Sequence, residues 1–294
     1  MTDAALEWVA GLGYRVVDAR RLSGGFRNDN RVLTTDRGRR LVLRRCREPA
    51  AGAVEVAVAG RVRGVVPVPE VVAADPGRGF VLAEFAPGRL LSEVVADGAA
   101  DTELGRVAGA ALAGIGTVRF GGPGLFGGAG LVPEPGSTDI PLGTFVRDCL
   151  SHSAAPLTDT ERNALIRLAE RDQSIVDDHA GASALVHGDF NPKNILVRRE
   201  HGRWVVSAVL DWEFAFSGHP LSDVGNMLRF PDELPGEFAD GFVAGLRAGG
   251  AELPPDWPEL ARALDLFALA DLLTRPPQHP LAAKVLAAVR QRLG

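Results

Sequence analysis

HGDFNPKN, His187 to Asn194, and LDWE, Leu210 to Glu213, are the stretches whose reading decides the fold of this chain. The first sets a carboxylate and an amide five positions apart in a polar loop, and the second ends an apolar run on another carboxylate. Ala184–Val186 before the loop and Ile195–Val197 after it read as short strands, and Trp204–Leu210 as a strand that stops at Asp211. Asp189 can accept the proton of a hydroxyl, while Asn194 and Asp211 offer the hard oxygen ligands that Mg²⁺ prefers. A proton acceptor beside two such ligands is the set that phosphoryl transfer from ATP requires.

Working outward, composition sets the class. The chain has 294 residues, 46% hydrophobic and 23% charged, which suits a folded globular protein and excludes disorder as its main state. A net charge of −5 argues against nucleic acid as a partner. Cys46 and Cys149 are too few for a disulfide framework and are expected as small buried hydrophobes in a reducing compartment. The opening MTDAALEW lacks the basic region of a signal peptide, and no window stays apolar over ~18 residues. A cytoplasmic protein with no membrane partner is therefore expected, as a monomer or homodimer. Of 32 basic residues only Lys193 and Lys284 are lysines, so none precedes position 193. Residues 1–60 hold 11 arginines against 7 acids, whereas residues 211–294 hold 7 basic against 12 acidic residues. Such a basic front and acidic rear suit a protein that holds an anion at one end and a cation at the other.

The rest of the chain divides by periodicity. Residues 4–12 read as a short helix closed by Gly13. Tyr14 to Arg47 alternates apolar and polar residues and is broken at Ser23-Gly24-Gly25 and Asp36-Arg37-Gly38, which predicts three antiparallel strands. Pro49 opens a helix that runs to about Val62, and Val71–Ala74 with Phe80–Phe85 forms a strand pair turned at Asp75-Pro76-Gly77. After Pro87-Gly88 helical periodicity takes over, with helices near 101–116, 141–152 and 158–180 and a Gly/Pro-rich loop at 121–137. The expected class is α+β and bilobal: a nucleotide-binding N-lobe of residues 1–86, with five strands and one helix, and a mainly helical C-lobe of residues 87–294.

On the residues quoted, the chain resembles the aminoglycoside phosphotransferase and choline kinase-like family, relatives of the protein kinases. The resemblance rests on His187, Gly188, Asp189 and Asn194, then Asp211, Trp212 and Glu213, then Asp223 in GHPLSDVGNML, Gly218 to Leu228. It implies a protein kinase-like fold with ATP and Mg²⁺ as cofactors, Asp189 as catalytic base, and Asn194 and Asp211 as metal ligands. His187 is implied as a support of the loop, and Asp223 as a hydrogen-bond acceptor for its backbone. Asn191 stands where protein kinases place a catalytic-loop lysine, and Lys193 lies two positions beyond. LSGGFRNDNRVL, Leu22 to Leu33, looks like the nucleotide-positioning hairpin, with Gly24 and Gly25 letting backbone N–H groups approach phosphates. RRLVLRRC, Arg39 to Cys46, occupies the strand on which the family carries a phosphate-binding lysine. With no lysine available, Arg44 takes that place, and Glu55 in the following helix is its ion-pair partner, with Glu48 as the alternative. FVLAEFAPG, Phe80 to Gly88, resembles the inter-lobe hinge, where the carbonyl of Glu84 and the N–H of Ala86 would hold adenine and Ala83 would back the pocket.

The acceptor is read less directly. Family enzymes that act on polycationic antibiotics line the acceptor surface with carboxylates. Glu213, Asp265 and Asp271 are the candidates here, the last two expected near one face of a helix over 259–273. With the acidic balance of residues 211–294, they point to a small amine-bearing acceptor and to antibiotic resistance or self-resistance. A metabolic kinase for choline, homoserine, a hexosamine or a glycated amine is the alternative. A nucleotide-binding pseudokinase, suggested by the missing lysine, is the third.

Overall fold

The computed structural model describes residues 3–22 and 28–294. Helix α1 (Ala4–Gly11) is followed by strands β1 (Val16–Arg21), β2 (Asp29–Thr35) and β3 (Arg40–Arg45), helix α2 (Pro49–Arg61), and strands β4 (Val71–Asp75) and β5 (Phe80–Glu84). The strands form one antiparallel sheet in the order β1-β2-β3-β5-β4. The turn at Asp36-Arg37-Gly38 closes as expected, with the Gly38 N–H on the Thr35 carbonyl (2.9 Å). Gly24 and Gly25 lie outside the described residues.

Side-chain alternation on β3 gives its two faces different duties. Leu41 and Leu43 are buried with Leu33, Phe80 and Leu82 against Ala5 and Val9 of α1. Arg44, one position out of phase, falls on the opposite face, where α2 lies. Pro49 supplies the first residue of α2, a position that has no N–H to satisfy, and Val54 and Val58 carry the helix into the main core of the molecule.

At residues 85–88 the chain leaves the sheet. It continues through β6 (Arg89–Leu90), α3 (Leu91–Ala96), α4 (Thr102–Ile115), β7 (Gly124–Leu125), α5 (Leu142–His152), α6 (Asp159–Asp178), β8 (Ala184–Val186), β9 (Ile195–Glu200) and β10 (Arg203–Val209). A 3₁₀ turn at Trp212–Phe214 leads to β11 (Phe216–Gly218) and α7 (Leu221–Met227), and helices α8 (Gly236–Ala248), α9 (Trp257–Leu273) and α10 (Ala282–Leu293) complete the chain. Two small sheets, β10-β9-β6 and β7-β11-β8, meet around the HGDFNPKN loop, which enters from β8 and leaves into β9. The mixed α+β architecture matches the expectation. The two- and three-residue strands β6, β7 and β11 add to it. Among the described residues, no helix is long and apolar enough to cross a membrane.

Two apolar clusters fill the helical part. The larger joins α4, α8, β9 and Trp212, and the second joins α5, α6, α9 and α10. Helices α4 and α8 approach so closely that each carries a pair of glycines against the other's backbone. A Cβ on Gly105 or Gly109 would lie 2.1 or 2.0 Å from the carbonyl oxygen of Phe238 or Phe242, and one on Gly241 or Gly245 would lie 2.2 or 2.1 Å from that of Thr102 or Arg106. Alanine is the better helix former by roughly 1 kcal/mol, so propensity and packing make opposite predictions for Gly109→Ala. Packing should win, with a net loss of about 1–3 kcal/mol from overfilling the contact. Chemical denaturation reads this directly, and a stabilised variant would mean that the helices do not touch as described.

Candidate active site

The HGDFNPKN loop is held from behind. The carboxylate of Asp223, fully buried on α7, accepts the backbone N–H groups of His187 (2.6 Å) and Gly188 (2.9 Å). One turn further along, the amide of Asn226 donates to the carbonyl of Gly188 (3.1 Å). Gly188 itself has φ +80, and a Cβ there would meet the Phe214 carbonyl at 2.3 Å, so only glycine fits. The buried His187 ring accepts the Asp189 N–H at Nδ1 (3.2 Å), so its proton sits on Nε2, which reaches the Leu210 carbonyl (2.9 Å). Burial lowers its pKa to about 4 and keeps it neutral. His187 therefore ties the loop to the LDWE segment, and its two ring nitrogens are both spent on backbone. Burial pushes Asp223 up to about 7, against the pull of the two N–H groups that it accepts.

These supports aim three functional groups together. The Asp189 carboxylate accepts the Asn191 amide at one oxygen and the Asn194 amide at the other, each at 2.8 Å. Burial, and then the charge of Asp211, push its pKa up to about 6, while the donors on it pull down. Asn194 spends its amide nitrogen on Asp189, which leaves its oxygen as the atom to offer a cation. The Leu210 N–H donates to the Asn194 carbonyl (2.8 Å), so the residue before Asp211 is pinned to Asn194. Asp211 has φ +67 and ψ 59, a left-handed conformation that costs about 1–3 kcal/mol in a non-glycine residue and is kept where function needs a side chain re-aimed.

Arg44 reaches into the same place from β3. Its Nη1 donates to Glu55 of α2 (2.9 Å), and its Nη2 is bonded to Asp211 and lies 3.4 Å from Glu213. Burial works against the guanidinium charge, but Glu55 and Asp211 outweigh it and hold the group above its ordinary range. Glu55 is pushed up to about 7 by burial, against the pull of Arg44. Three carboxylates thus surround one cation, and Glu55 Oε2 is buried without a hydrogen-bond partner. Among the described residues no three His, Cys, Asp or Glu side chains are grouped to hold a metal ion by themselves, while the Asp211 carboxylate and the Asn194 amide oxygen are hard oxygens of the kind Mg²⁺ takes alongside nucleotide phosphates. Glu84 ends β5 opposite Leu41, where its N–H donates to the Glu70 carbonyl (2.8 Å) and its side chain pairs with Arg39. Ala86 follows in the segment that leaves the sheet. Lys193 is exposed at the edge of the loop.

Of the three carboxylates expected at an acceptor surface, Glu213 and Asp265 are instead committed to internal partners, and Asp271 stays exposed. The Glu213 side chain is only 7% exposed, and its Oε2 accepts the Asn28 amide (2.8 Å) and faces Arg44, so it points toward the five-stranded sheet. Asp265 is buried between two guanidinium groups, with Oδ1 2.7 Å from Arg229 and Oδ2 2.5 Å from Arg292. Arg229 in turn is near enough to Asp189 to draw its carboxyl down, so the charge turned toward the loop here is positive. Asp271 is exposed on the last turn of α9 and pairs with Arg275 at 3.6 Å. Six residues turn a helix by about 240° beyond one full circle, which sets Asp265 and Asp271 about 120° apart, not on one face. Residues that sequence reasoning passed over are Asn28, Asn226 and Arg229, whose roles come from contacts with partners distant in the chain.

Comparison with known proteins bears on the fold and the family. Among solved structures, aminoglycoside phosphotransferase APH(4)-Ia superposes with a TM-score of 0.70 at 19% identity, covering 99% of this chain and 98% of that one. The GDP complex of aminoglycoside 2'-phosphotransferase-IIIa gives 0.72 at 15% identity over 99% of both chains. Macrolide 2'-phosphotransferase MphH from Brachybacterium faecium gives 0.62 at 19%, over 99% and 95%. At these identities the likeness is one of fold. Acyl-CoA dehydrogenase family member 11 is 47% identical over 47 residues in Gallus gallus and 39% identical over 67 residues in Homo sapiens. The matched segment spans 6% and 8% of those proteins' lengths. The profile of the phosphotransferase enzyme family matches residues 18–263, most of the chain, and the protein belongs to that family.

Proposed function

We propose that the protein is an ATP-dependent O-phosphotransferase that moves the γ-phosphoryl group to a hydroxyl of a small molecule. The observation that carries this reading is the Asp189 carboxylate, gripped at both oxygens by Asn191 and Asn194, on a loop pinned to Asp211. The nucleotide would lie between an N-lobe of residues 1–86 and a C-lobe of residues 87–294. The Glu84 carbonyl and Ala86 N–H would take adenine, while Gly24, Gly25 and Arg44 would meet the phosphates. The Asn194 oxygen and Asp211 would hold Mg²⁺, which when bound neutralises charge on the phosphates. Asp189 orients the acceptor hydroxyl and takes its proton as the oxygen bonds to the γ-phosphorus and the bond to the ADP oxygen breaks. The proton then passes from Asp189 to solvent.

Ternary complexes of APH(4)-Ia variants with ADP or AMP-PNP and hygromycin B lend support to a nucleotide and a second small molecule sharing this fold. Because Glu213 and Asp265 are committed internally, the charge argument for a cationic acceptor is weakened. The names of the similar structures place aminoglycosides and macrolides first in an acceptor panel read by coupled ADP release, with amine-bearing metabolites second. Robust release with one class identifies the acceptor. Mg·ATP binding without turnover on any acceptor favours the pseudokinase alternative.

Replacing the base by Asp189→Asn should lower kcat by ~10²-fold or more while the Kd of ATP stays within about threefold, since Asp189 meets the acceptor. Steady-state kinetics beside calorimetry checks the pair, and turnover like that of the parent protein would rule Asp189 out. The reaction needs Asp189 ionised, and its carboxyl is held near 6. Activity should therefore rise with pH through an acid limb and level off above it. Part of the upward push is the charge of Asp211, which a bound cation offsets, so at saturating Mg·ATP the midpoint of kcat/KM for the acceptor should fall at or just below pH 6. A midpoint at the ordinary aspartate value of about 3.9, or one above about 7, contradicts the assignment.

A further inference from the structure

Arginine at position 44 differs from lysine in having two terminal nitrogens on a rigid plane. Here each has its own side: Nη1 is on Glu55 of α2, and Nη2 is on the LDWE turn, at Asp211 and Glu213. The Glu213 oxygen that faces Arg44 also accepts the amide of Asn28. Asn28 is itself buried immediately before β2, and its own oxygen accepts the Arg47 N–H (3.2 Å) just past the end of β3. One carboxylate oxygen therefore joins the guanidinium, the start of β2 and the segment bearing Asp211.

We propose that Glu213 is a positioning residue that makes arginine workable at position 44: it fixes the second arm of the guanidinium and, through Asn28, ties the start of β2 to it as one unit. This rests on the kinase reading above. Glu213 touches neither phosphate nor acceptor in this role. A lysine ammonium gathers its donors on one nitrogen, whereas the planar guanidinium reaches Glu55 and the LDWE turn with separate nitrogens, so the Asn28–Glu213–Arg44 chain and the arginine belong together.

The test is calorimetric titration of Mg·ATP into the full chain and its E213Q, N28A, R44Q and R44Q/E213Q variants, with thermal unfolding of the nucleotide-free proteins. Glutamine at 213 can still accept from Asn28 but loses the charge facing Arg44. E213Q should weaken Mg·ATP binding about tenfold, the size of one lost charge-assisted contact. The same substitution should cost less than about twofold when Arg44 is already glutamine, because coupled partners are not additive. In the nucleotide-free protein, E213Q should lower Tm in the parent but raise it in the R44Q background, where the carboxylate has lost its cation. KM for ATP should rise while KM for the acceptor stays, which a general loosening of the site would not produce. N28A should weaken Mg·ATP binding without changing the sign reversal in Tm. Binding by E213Q equal to the parent, or E213Q and R44Q effects that multiply, overturns the role of Glu213 alone. Failure of the parent to bind Mg·ATP overturns the kinase reading instead.

Discussion

A single buried carboxylate, Asp223, sets the conformation on which the site depends. It takes two successive backbone N–H groups of the loop, at His187 and Gly188, which no regular strand or helix would satisfy there. With those donors satisfied, Gly188 can adopt its positive φ, the chain can turn tightly under Phe214, and Asp189 is delivered to the two amides that hold it. His187 then closes the arrangement by bonding the Leu210 carbonyl, one residue from Asp211. The links that shape the loop thus run to backbone groups, while the Asp189 carboxylate is oriented by two amides and that of Asp211 by Arg44.

Charge in this region is arranged around burial. Asp189 and Glu55 are raised above the ordinary carboxylate range chiefly because water is excluded, and Arg44 stays charged because its carboxylate neighbours outweigh that same exclusion. The cluster keeps more carboxylates than guanidinium groups. At the other side of the loop the balance reverses, where Arg229 and Arg292 share Asp265.

Much of this was legible in the sequence because it is local. The strands at 184–186, 195–200 and 203–209 and the helices at 102–115, 142–152 and 159–178 follow apolar runs bounded by turn residues. The loop itself is a contiguous motif. Strands β6, β7 and β11, of two or three residues, are too short to carry a period and exist only through their partners. The glycine contacts of α4 with α8 join positions more than a hundred apart, and neither helix announces the other. Asp265 misled for the same reason: an acid on an amphipathic helix reads as solvated, and nothing nearby in sequence shows that Arg229 and Arg292 cover it. Arg44 follows from the family resemblance, which puts a phosphate-binding lysine on this strand where the chain has only arginine, but its contact with Glu213 and the part of Asn28 needed coordinates.

The claim beneath all of this is that Asp211 and Asn194 present a metal-bearing nucleotide to Asp189. Calorimetry of ATP binding to the parent chain and to Asp211→Asn, each with and without Mg²⁺, addresses it most directly. Saturable binding by the parent that requires Mg²⁺ and is lost in Asp211→Asn is the expected result. Binding that is indifferent to the metal, or unchanged when Asp211 is replaced, would contradict it.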